Sequence, residues 1–203
     1  MISWIVASHD STVLDSILRP SLRFGPGDEL VVISGARSIA EAYNEGQARA
    51  VNDVRAYLHH DVALLDWARL REQLLTFCQP HIGMVGVVGS WNRALPWWEG
   101  AHCGSVLDSR HGMLGTGRGG QCAYLDGLLL ATAQTVEWDE SYPGWHGYDH
   151  DMCEQMLHKG LVNWCLTGGH EMVRHHTNGP RDPDQITGWS EALARFREKW
   201  GGE

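Results

Sequence analysis

Apolar runs alternate with amphipathic stretches through the first 90 residues. Four short apolar runs indicate buried strands, over residues 2–7, 30–33, 54–58 and 82–88. Three stretches with helical spacing of apolar positions lie between them: one capped by Ser11 or Thr12 and ending near Pro20, one capped by Ser38, and one over about 65–77. This alternation predicts a mainly parallel central sheet flanked by helices.

The pattern changes at Trp91. Residues 91–120 indicate loops with short strands, one of them near 105–107, and residues 123–133 indicate a strand interrupted by Asp126 and Gly127. A helix over about 149–158, a strand over 161–166 and a helix over 189–200 follow. We therefore expect one α/β domain over residues 1–203, with a smaller antiparallel portion in its second half.

Polar residues or glycine follow each predicted strand of the first half. In order along the chain they are His9 with Asp10, Ser34 with Gly35, His59-His60-Asp61, and Gly89 with Ser90. Ligands of open α/β sheets bind outside the carboxyl ends of the strands. The sequence therefore predicts a binding site at this edge of the sheet.

Composition narrows the class of protein. The chain has 203 residues, 43% of them hydrophobic, and a net charge of −9, which argues against a surface that holds nucleic acid by counterion release but leaves a local basic groove open. Its five cysteines form no CxxC pair, which favours reduced thiols in the core. No apolar run reaches the length of a membrane span and the N-terminus lacks a basic start, so we expect a cytoplasmic protein.

Tryptophan and glycine are abundant, with ten and 24 residues respectively. Their concentration in the second half favours loops around a flat ligand that can stack, for which a sugar ring is one candidate. The adjacent Trp97 and Trp98 fit either such a stacking surface or the core.

Two groups of polar residues have the chemistry of a divalent-metal site. Asp61 ends the third predicted strand beside His59 and His60, and a hard carboxylate with nearby imidazole suits Mg²⁺ or Mn²⁺. The adjacent His175 and His176 could complete such a site or contact phosphate. The alternatives are a hydrogen-bonded turn for the first group and exposed polar surface for the second.

Asp149 is the candidate catalytic base. At the start of the predicted helix it shares a stripe with Met152, Cys153 and Met156, so we expect it to face the interior or a cleft, and Asp151, Glu154 and His158 to face elsewhere. A plain N-terminal cap is the alternative. A helix N-terminus favours the ionised carboxylate, which can accept a proton at neutral pH.

Six segments together resemble the family-2-like glycosyltransferases of the GT-A fold, in particular the small bacterial and phage branch. They are VASHD, SIAEAYNEG, YLHHDV, GMVGVVGS, YLDGLLLA and WDESYPGWHGYDHDMC, at residues 6–10, 38–46, 57–62, 83–90, 124–131 and 138–153. They follow the order of the family along nearly the whole chain. The resemblance implies a single GT-A domain, Rossmann-like, in which residues 1–90 bind the nucleotide and residues 91–203 form the acceptor and catalytic half.

The resemblance also assigns roles to individual residues. It implies that Asp61 binds a Mn²⁺ or Mg²⁺ ion that bridges the diphosphate of the donor, with His175 or His176 completing the site. His59 stands where the family has the first carboxylate of its metal motif. Asp149 matches the catalytic aspartate, and Tyr148 replaces the glutamate that often precedes it. The remaining residues expected around the donor are Ser8, His9, Asp10, Gly35, Ala36, Asn44 and His60.

The function implied is metal-dependent transfer of a sugar from a nucleoside diphosphate sugar, with a UDP-sugar favoured, to an acceptor hydroxyl with inversion. The expected wall of the acceptor or sugar site comprises Trp97, Trp98, Asp126, Trp145 and His146. The acceptor is left open among a glycan, a protein, a small molecule and a base in DNA. The alternatives are a non-catalytic nucleotide-sugar or glycan-binding protein and a metal-dependent phosphoester hydrolase. The expected setting is the cytoplasm of a bacterium or of a phage-infected host cell.

Overall fold

A seven-stranded sheet forms the centre of the computed structural model, which describes residues 1–177 and 188–201. Its strands are β1 (Ile2–Ser8), β2 (Glu29–Ser34), β3 (Val54–His59), β5 (Ile82–Gly86), β9 (Gly120–Cys122), β11 (Leu129–Thr132) and β12 (Val162–Cys165). They lie in the order β2-β1-β3-β11-β5-β12-β9. All except β11 and β9 run in the same direction, which confirms the predicted mainly parallel sheet.

A second sheet contains the remaining strands. These are β4 (Val62–Leu64), β6 (Val88–Ser90), β7 (His102–Asp108), β8 (Gly112–Gly115), β10 (Tyr124–Leu125) and β13 (Val173–His175). Their order is β10-β6-β7-β13-β4, with β8 paired to β7. All of these pairs are antiparallel except that of β7 with β13, so the antiparallel portion expected from the sequence is present.

Two apolar runs were each predicted as one strand, and both predictions were wrong. Residues 82–88 divide at Val87 into β5 of the central sheet and β6 of the second sheet. Residues 123–133 likewise divide into β10 and β11 around Asp126 and Gly127. Both runs are buried throughout β5, β6, β10 and β11, and a continuous apolar run does not record where a chain passes from one sheet to another.

The helices follow the predicted pattern with one correction. They are α1 (Ser11–Val13), continued by a π-helix over Leu14–Leu18 and by α2 (Arg19–Ser21), then α3 (Ile39–Arg49), α4 (Trp67–Phe77), α5 (Tyr148–His158), α6 (Gly169–Met172) and α7 (Trp189–Trp200). Ser38 caps α3 as predicted, by accepting the N–H of Glu41 at 3.2 Å. Asp10, and not Ser11 or Thr12, caps the first helix, because its carboxylate accepts the N–H groups of both Thr12 and Val13.

An aromatic cluster joins α3 to the central sheet beneath the candidate site. Tyr43 of α3 packs on Tyr57 of β3 with ring centroids 5.0 Å apart, and Trp138 contacts both rings. All three side chains are fully buried. Removing one such ring costs about 3–5 kcal/mol, so this cluster fixes the end of β3 against α3. Among the helices of the described ranges, none has the length and apolar character that crossing a bilayer requires.

Candidate active site

Three side chains form a candidate metal centre at the carboxyl end of β3. The ligand atoms of His59, Asp61 and His175 all lie within 4.8 Å of one another, and each residue is half-buried. His59 is the last residue of β3, Asp61 lies in the turn to β4, and His175 ends β13. The pairing of β13 with β4 sets His175 opposite Val62, which brings the late histidine to the third strand end.

The second histidine of the adjacent pair has a different environment. His176 donates its backbone N–H to the carbonyl oxygen of Asp61 at 2.8 Å, and it is not among the three residues of the metal centre. His60 likewise turns away from that centre, because its Nδ1 lies 3.1 Å from the hydroxyl of Ser8. Of the histidines predicted as ligands, His59 and His175 therefore converge on Asp61.

The surroundings of one oxygen of Asp61 show whether these residues fit a metal ion. Its Oδ1 atom is buried and has no hydrogen-bond partner within the described residues, while Nε2 of His175 lies 3.5 Å away, at ion-pair distance. Buried carboxylate oxygens are rarely left without a partner. A divalent cation bound by one carboxylate and two imidazoles would satisfy this atom, so the donor set fits such an ion.

Asp108 supports the metal centre from behind, and sequence reasoning missed it. Its carboxylate oxygen Oδ2 lies 3.2 Å from Nδ1 of His175 and also accepts the hydroxyl of Thr177. A carboxylate on one ring nitrogen leaves the other nitrogen, here Nε2, to face an ion. Asp108 ends β7, whose parallel pairing with β13 sets it opposite His175. Only the pairing of distant strands reveals this contact.

In the candidate metal centre, burial and the neighbouring groups together set the pKa of each residue. Burial would lower the pKa of His175, but Asp108 and Asp61 raise it to about 10. Burial would raise the pKa of Asp61, but His175 and the other histidines lower it to about 2. Burial lowers the pKa of His59 to about 4. In the absence of an ion, the proton of His175 therefore balances Asp61, and a bound cation would take its place.

Tyr148 links the metal centre to the candidate base. Its hydroxyl lies 2.6 Å from Nε2 of His59, and Asp149 follows it in α5. The ring passes close over Gly127, where a Cβ atom would lie 1.9 Å from the Tyr148 hydroxyl oxygen. Only glycine fits at that position, so the turn between β10 and β11 packs directly against the first turn of α5.

Asp149 is buried with its side chain 12% exposed, so it faces the interior and not open solvent, as the helical stripe predicted. Its Oδ2 accepts the N–H of Gly127 at 3.1 Å, and its Oδ1 accepts both the backbone N–H and the Nδ1 of His150 at 2.9 Å. Burial acts to raise the pKa of Asp149, while His150 and these N–H groups lower it, and the net shift is downward. The carboxylate is therefore ionised near neutral pH and can accept a proton.

The other acids of α5 correct the predicted orientation of the helix. Asp151 and Glu154 were expected to face away from the interior, but they are only 1% and 3% exposed. Asp151 accepts hydrogen bonds from Tyr142 and Trp200 and pairs with Lys199. Helix α7 covers this face, so the polar side of α5 packs against polar groups of another helix instead of water.

Several predicted donor residues lie at the carboxyl ends of β1 and β2. His9 is exposed, and its ring packs at a tilt against His60, with ring centroids 4.4 Å apart, and against Trp145 at 5.2 Å. Gly35 has φ +80° and open space around it, and Ala36 packs partly on the core. These positions form a surface beside the metal centre on which a planar group could stack.

Two further predicted donor residues are engaged in the fold. Asp10 uses its carboxylate as the cap of α1. Asn44 of α3 exchanges hydrogen bonds with the backbone of Trp138, each at 2.9 Å, and donates to Glu140. These contacts hold the segment before α5 against α3, and they occupy both side chains.

Aromatic side chains form a second surface near the start of α7. Trp98 is 42% exposed and lies 5.2 Å from Trp189, whose ring also contacts His146. Trp97 is buried, and its indole Nε1–H donates to Asp126 at 3.0 Å. Trp189 was not singled out from the sequence, because its partners are distant along the chain.

The topology is that of the GT-A fold of glycosyltransferases. A sequence model of the glycosyltransferase-like family matches residues 17–176, and the chain belongs to that family. No curated protein matches the chain by sequence.

Solved structures share the fold at low sequence identity. GalNAc-T7, solved with UDP, GalNAc and Mn²⁺, is similar at a TM-score of 0.68 and 10% identity, over 99% of this chain and 49% of that one. The mannosyltransferase PcManGT from Pyrobaculum calidifontis, in complex with GDP-Man and Mn²⁺, gives 0.57 and 10%, over 89% and 57%. A197 from STIV gives 0.51 and 13%, over 87% and 86%. The chain thus spans about half the length of the first two.

Proposed function

We propose that this protein transfers a sugar from a nucleoside diphosphate sugar to an acceptor hydroxyl with inversion at the anomeric carbon. One observation carries the proposal: Tyr148 joins the metal centre to the base, since its hydroxyl contacts His59 and the next residue is Asp149. Sugar transfer needs a leaving group and a proton acceptor at adjacent positions. The two groups of residues meet that requirement.

The ligand set indicates the ion. His59, Asp61 and His175 offer two imidazole nitrogens and one carboxylate, which favours Mn²⁺ over Mg²⁺. A bound ion would neutralise the negative charge of the departing diphosphate. The protein itself holds these side chains in place. Asp108 contacts Nδ1 of His175, and the hydroxyl of Tyr148 contacts Nε2 of His59.

Asp149 acts as the general base. One lone pair of its Oδ2 remains after the bond from Gly127, and this oxygen takes the proton of the acceptor hydroxyl. The acceptor oxygen forms a bond to the anomeric carbon while the bond from that carbon to the diphosphate oxygen breaks, and the electron pair leaves with the nucleoside diphosphate. Attack on the face opposite the leaving group inverts the anomeric centre.

A UDP-sugar is the favoured donor. His9, which packs on the buried His60, offers an exposed aromatic ring at the end of β1, and Gly35 leaves room for the ligand at the end of β2. Two structures with this fold were solved with a UDP or GDP-Man ligand and Mn²⁺. For the acceptor, the exposed ring of Trp98 beside Trp189 and His146 offers a face against which a sugar ring packs well.

A thermal-shift screen tests the proposal. We expect UDP-sugars with Mn²⁺ at 100 times Kd to stabilise the protein by about 2.7 kcal/mol, and so to raise Tm by about 5 °C or more, while Mn²⁺ or nucleotide alone has a smaller effect. GDP-mannose and Mg²⁺ serve as comparisons. Hydrolysis of bis(p-nitrophenyl) phosphate without any response to nucleotide sugars would instead indicate a phosphoester hydrolase. Binding of the donor without release of UDP would indicate a binding protein.

A further inference from the structure

Four hydrogen bonds form a closed circuit around the Asp149 carboxylate. Nδ1 of His150 lies 2.9 Å from Oδ1 of Asp149, and Nε2 of His150 accepts the backbone N–H of Trp97 at 3.3 Å. The indole of Trp97 donates to Asp126, and Gly127, the next residue, donates its N–H to Oδ2 of Asp149. The circuit thus returns to the carboxylate from which it began.

The circuit determines the tautomer of His150. A backbone N–H can only donate, so Nε2 of His150, which accepts from Trp97, carries no hydrogen. The hydrogen of the neutral ring is then on Nδ1, which donates to Asp149. His150 is 2% exposed, so water does not compete for either nitrogen. The ring is therefore a neutral donor in a fixed orientation.

The same bonds determine which oxygen of Asp149 is free. Oδ1 accepts two hydrogen bonds, from the backbone N–H and from Nδ1 of His150, and these use both of its lone pairs. Oδ2 accepts one, from Gly127. The carboxylate cannot rotate without breaking the bond to the ring. A single lone pair on Oδ2 is left to take a proton.

We propose that His150 is a positioning residue for Asp149, held by the backbone of Trp97 as the neutral Nδ1–H tautomer so that the carboxylate stays ionised and presents Oδ2 to the acceptor. The role of Asp149 as base is that of the proposed function, on which this inference rests. Trp97 donates its backbone N–H to His150, and the next residue, Trp98, carries an exposed ring of the aromatic surface. The same two residues therefore contact both the partner of the base and that surface.

A purely structural role predicts something different. If His150 only filled space in the core, a side chain of similar size would leave the titration of Asp149 unchanged. Other titratable groups also act on Asp149 and remain the same in every variant. They are Tyr43 on α3, His59 on β3, Asp126 between β10 and β11, His146 before α5, and Tyr148 and Cys153 on α5.

The tautomer is measured directly in the wild-type protein. In protein labelled with ¹⁵N-histidine, long-range ¹H–¹⁵N spectra distinguish a protonated ring nitrogen from a bare one, and the His150→Asn variant identifies the signals of His150 by their absence. We expect a protonated Nδ1 and a bare Nε2, the tautomer that the two hydrogen bonds require. A hydrogen on Nε2, or on both nitrogens, would overturn the proposal.

The effect on the base is measured by titrating the ¹³C-labelled side-chain carboxyl of Asp149. We expect His150→Phe to raise the pKa of Asp149 by about 1, since it removes one hydrogen bond to the charged form. His150→Asn, whose amide nitrogen can replace Nδ1, should restore most of the wild-type value. Equal values in wild type and both variants would contradict the proposal. Neither readout needs a substrate, so failure here is distinct from failure of the nucleotide-sugar screen.

Discussion

His59 Nε2 and the hydroxyl of Tyr148 lie 2.6 Å apart. The family resemblance predicts a carboxylate at each of these two positions, the first acid of the metal motif and the glutamate before the proposed base. The two positions that depart from that expected pattern are in contact in the fold. With Nε2 engaged by Tyr148, Nδ1 is the nitrogen that His59 has left for an ion, and the Nε2–H then donates to the tyrosine oxygen.

Replacing Tyr148 with Phe should weaken Mn²⁺ binding about tenfold, because partners behind a metal-bound histidine orient the ring and typically contribute 10–100-fold in affinity. Calorimetric titration of the protein with MnCl₂ in the presence of UDP measures the change. Tyr142→Phe is the matched control, since it removes a buried hydroxyl that bonds to Asp151 away from the centre. Equal losses in both variants would assign Tyr148 no special role.

The adjacent histidines give a second test of the metal centre. His175→Ala should abolish the Mn²⁺-dependent rise in Tm, because it removes a ligand that contacts Asp61. His176→Ala should leave that rise unchanged, because the hydrogen bond of this residue to Asp61 is made by its backbone N–H, which alanine retains. Thermal shift with Mn²⁺ and UDP distinguishes the two. The opposite ranking would mean that the ligand set is assigned incorrectly.

Asp151 should matter for stability and not for the reaction. Asp151→Ala leaves the buried hydroxyl of Tyr142 and the partly buried indole N–H of Trp200 without this acceptor. It also removes one of the two carboxylates that pair with Lys199, so the free energy of unfolding should fall by about 3 kcal/mol. Urea denaturation measures this loss. Glu198→Ala, which removes a mostly exposed partner of Arg195 on the same helix, should not move the midpoint.

Asp28 gives a test of pH dependence away from the site. Burial would raise the pKa of this fully buried carboxyl, but Arg71 and the N–H groups of Ile2 and Gly25 bring it below the ordinary value of 3.8. The stability that Asp28 contributes through its lowered pKa is fully present above about pH 4. It is lost as the pH falls through the pKa of Asp28 in the folded state. From about pH 5 to about pH 3, the free energy of unfolding of wild type should therefore fall by more than that of Asp28→Asn.

Urea unfolding at several pH values measures this difference. Asp28→Asn should be less stable than wild type at pH 7 and show a flatter decline in acid. Asp15→Asn, at an exposed aspartate paired with Arg19, is the control and should follow wild type. Parallel curves for wild type and Asp28→Asn would show that the Arg71 pair is not the origin of the acid sensitivity.

The sequence predicted the features that depend on local pattern. Three of these features follow from spacing within one element: the end of β3 at His59, the cap of α3 at Ser38 and the inward orientation of Asp149. Each needs only the apolar period of a strand or helix and the chemistry of its terminus. The sequence predictions located the candidate base, and they included all three residues of the candidate metal centre, His59, Asp61 and His175, without choosing between His175 and His176.

The features that the sequence did not predict depend on pairing between distant segments. Asp108 meets His175 only because β7 lies beside β13, and β11 enters the sheet between β3 and β5 without a local signal. The burial of Asp151 depends on Trp200, 49 residues away. Strand register and helix docking decide such contacts, and a hydrophobic pattern contains neither.

The most direct test of the account is UDP release by wild type and Asp149→Asn with Mn²⁺ and the UDP-sugar that stabilises the protein most. We predict that Asp149→Asn reduces turnover at least about 100-fold, the usual contribution of a general base. Its affinity for the donor, measured by calorimetry, should stay within about twofold of wild type, because Asn preserves the shape of the side chain. Asp149→Asn protein that binds the donor and still releases UDP at the wild-type rate would contradict the assignment of Asp149 as the base.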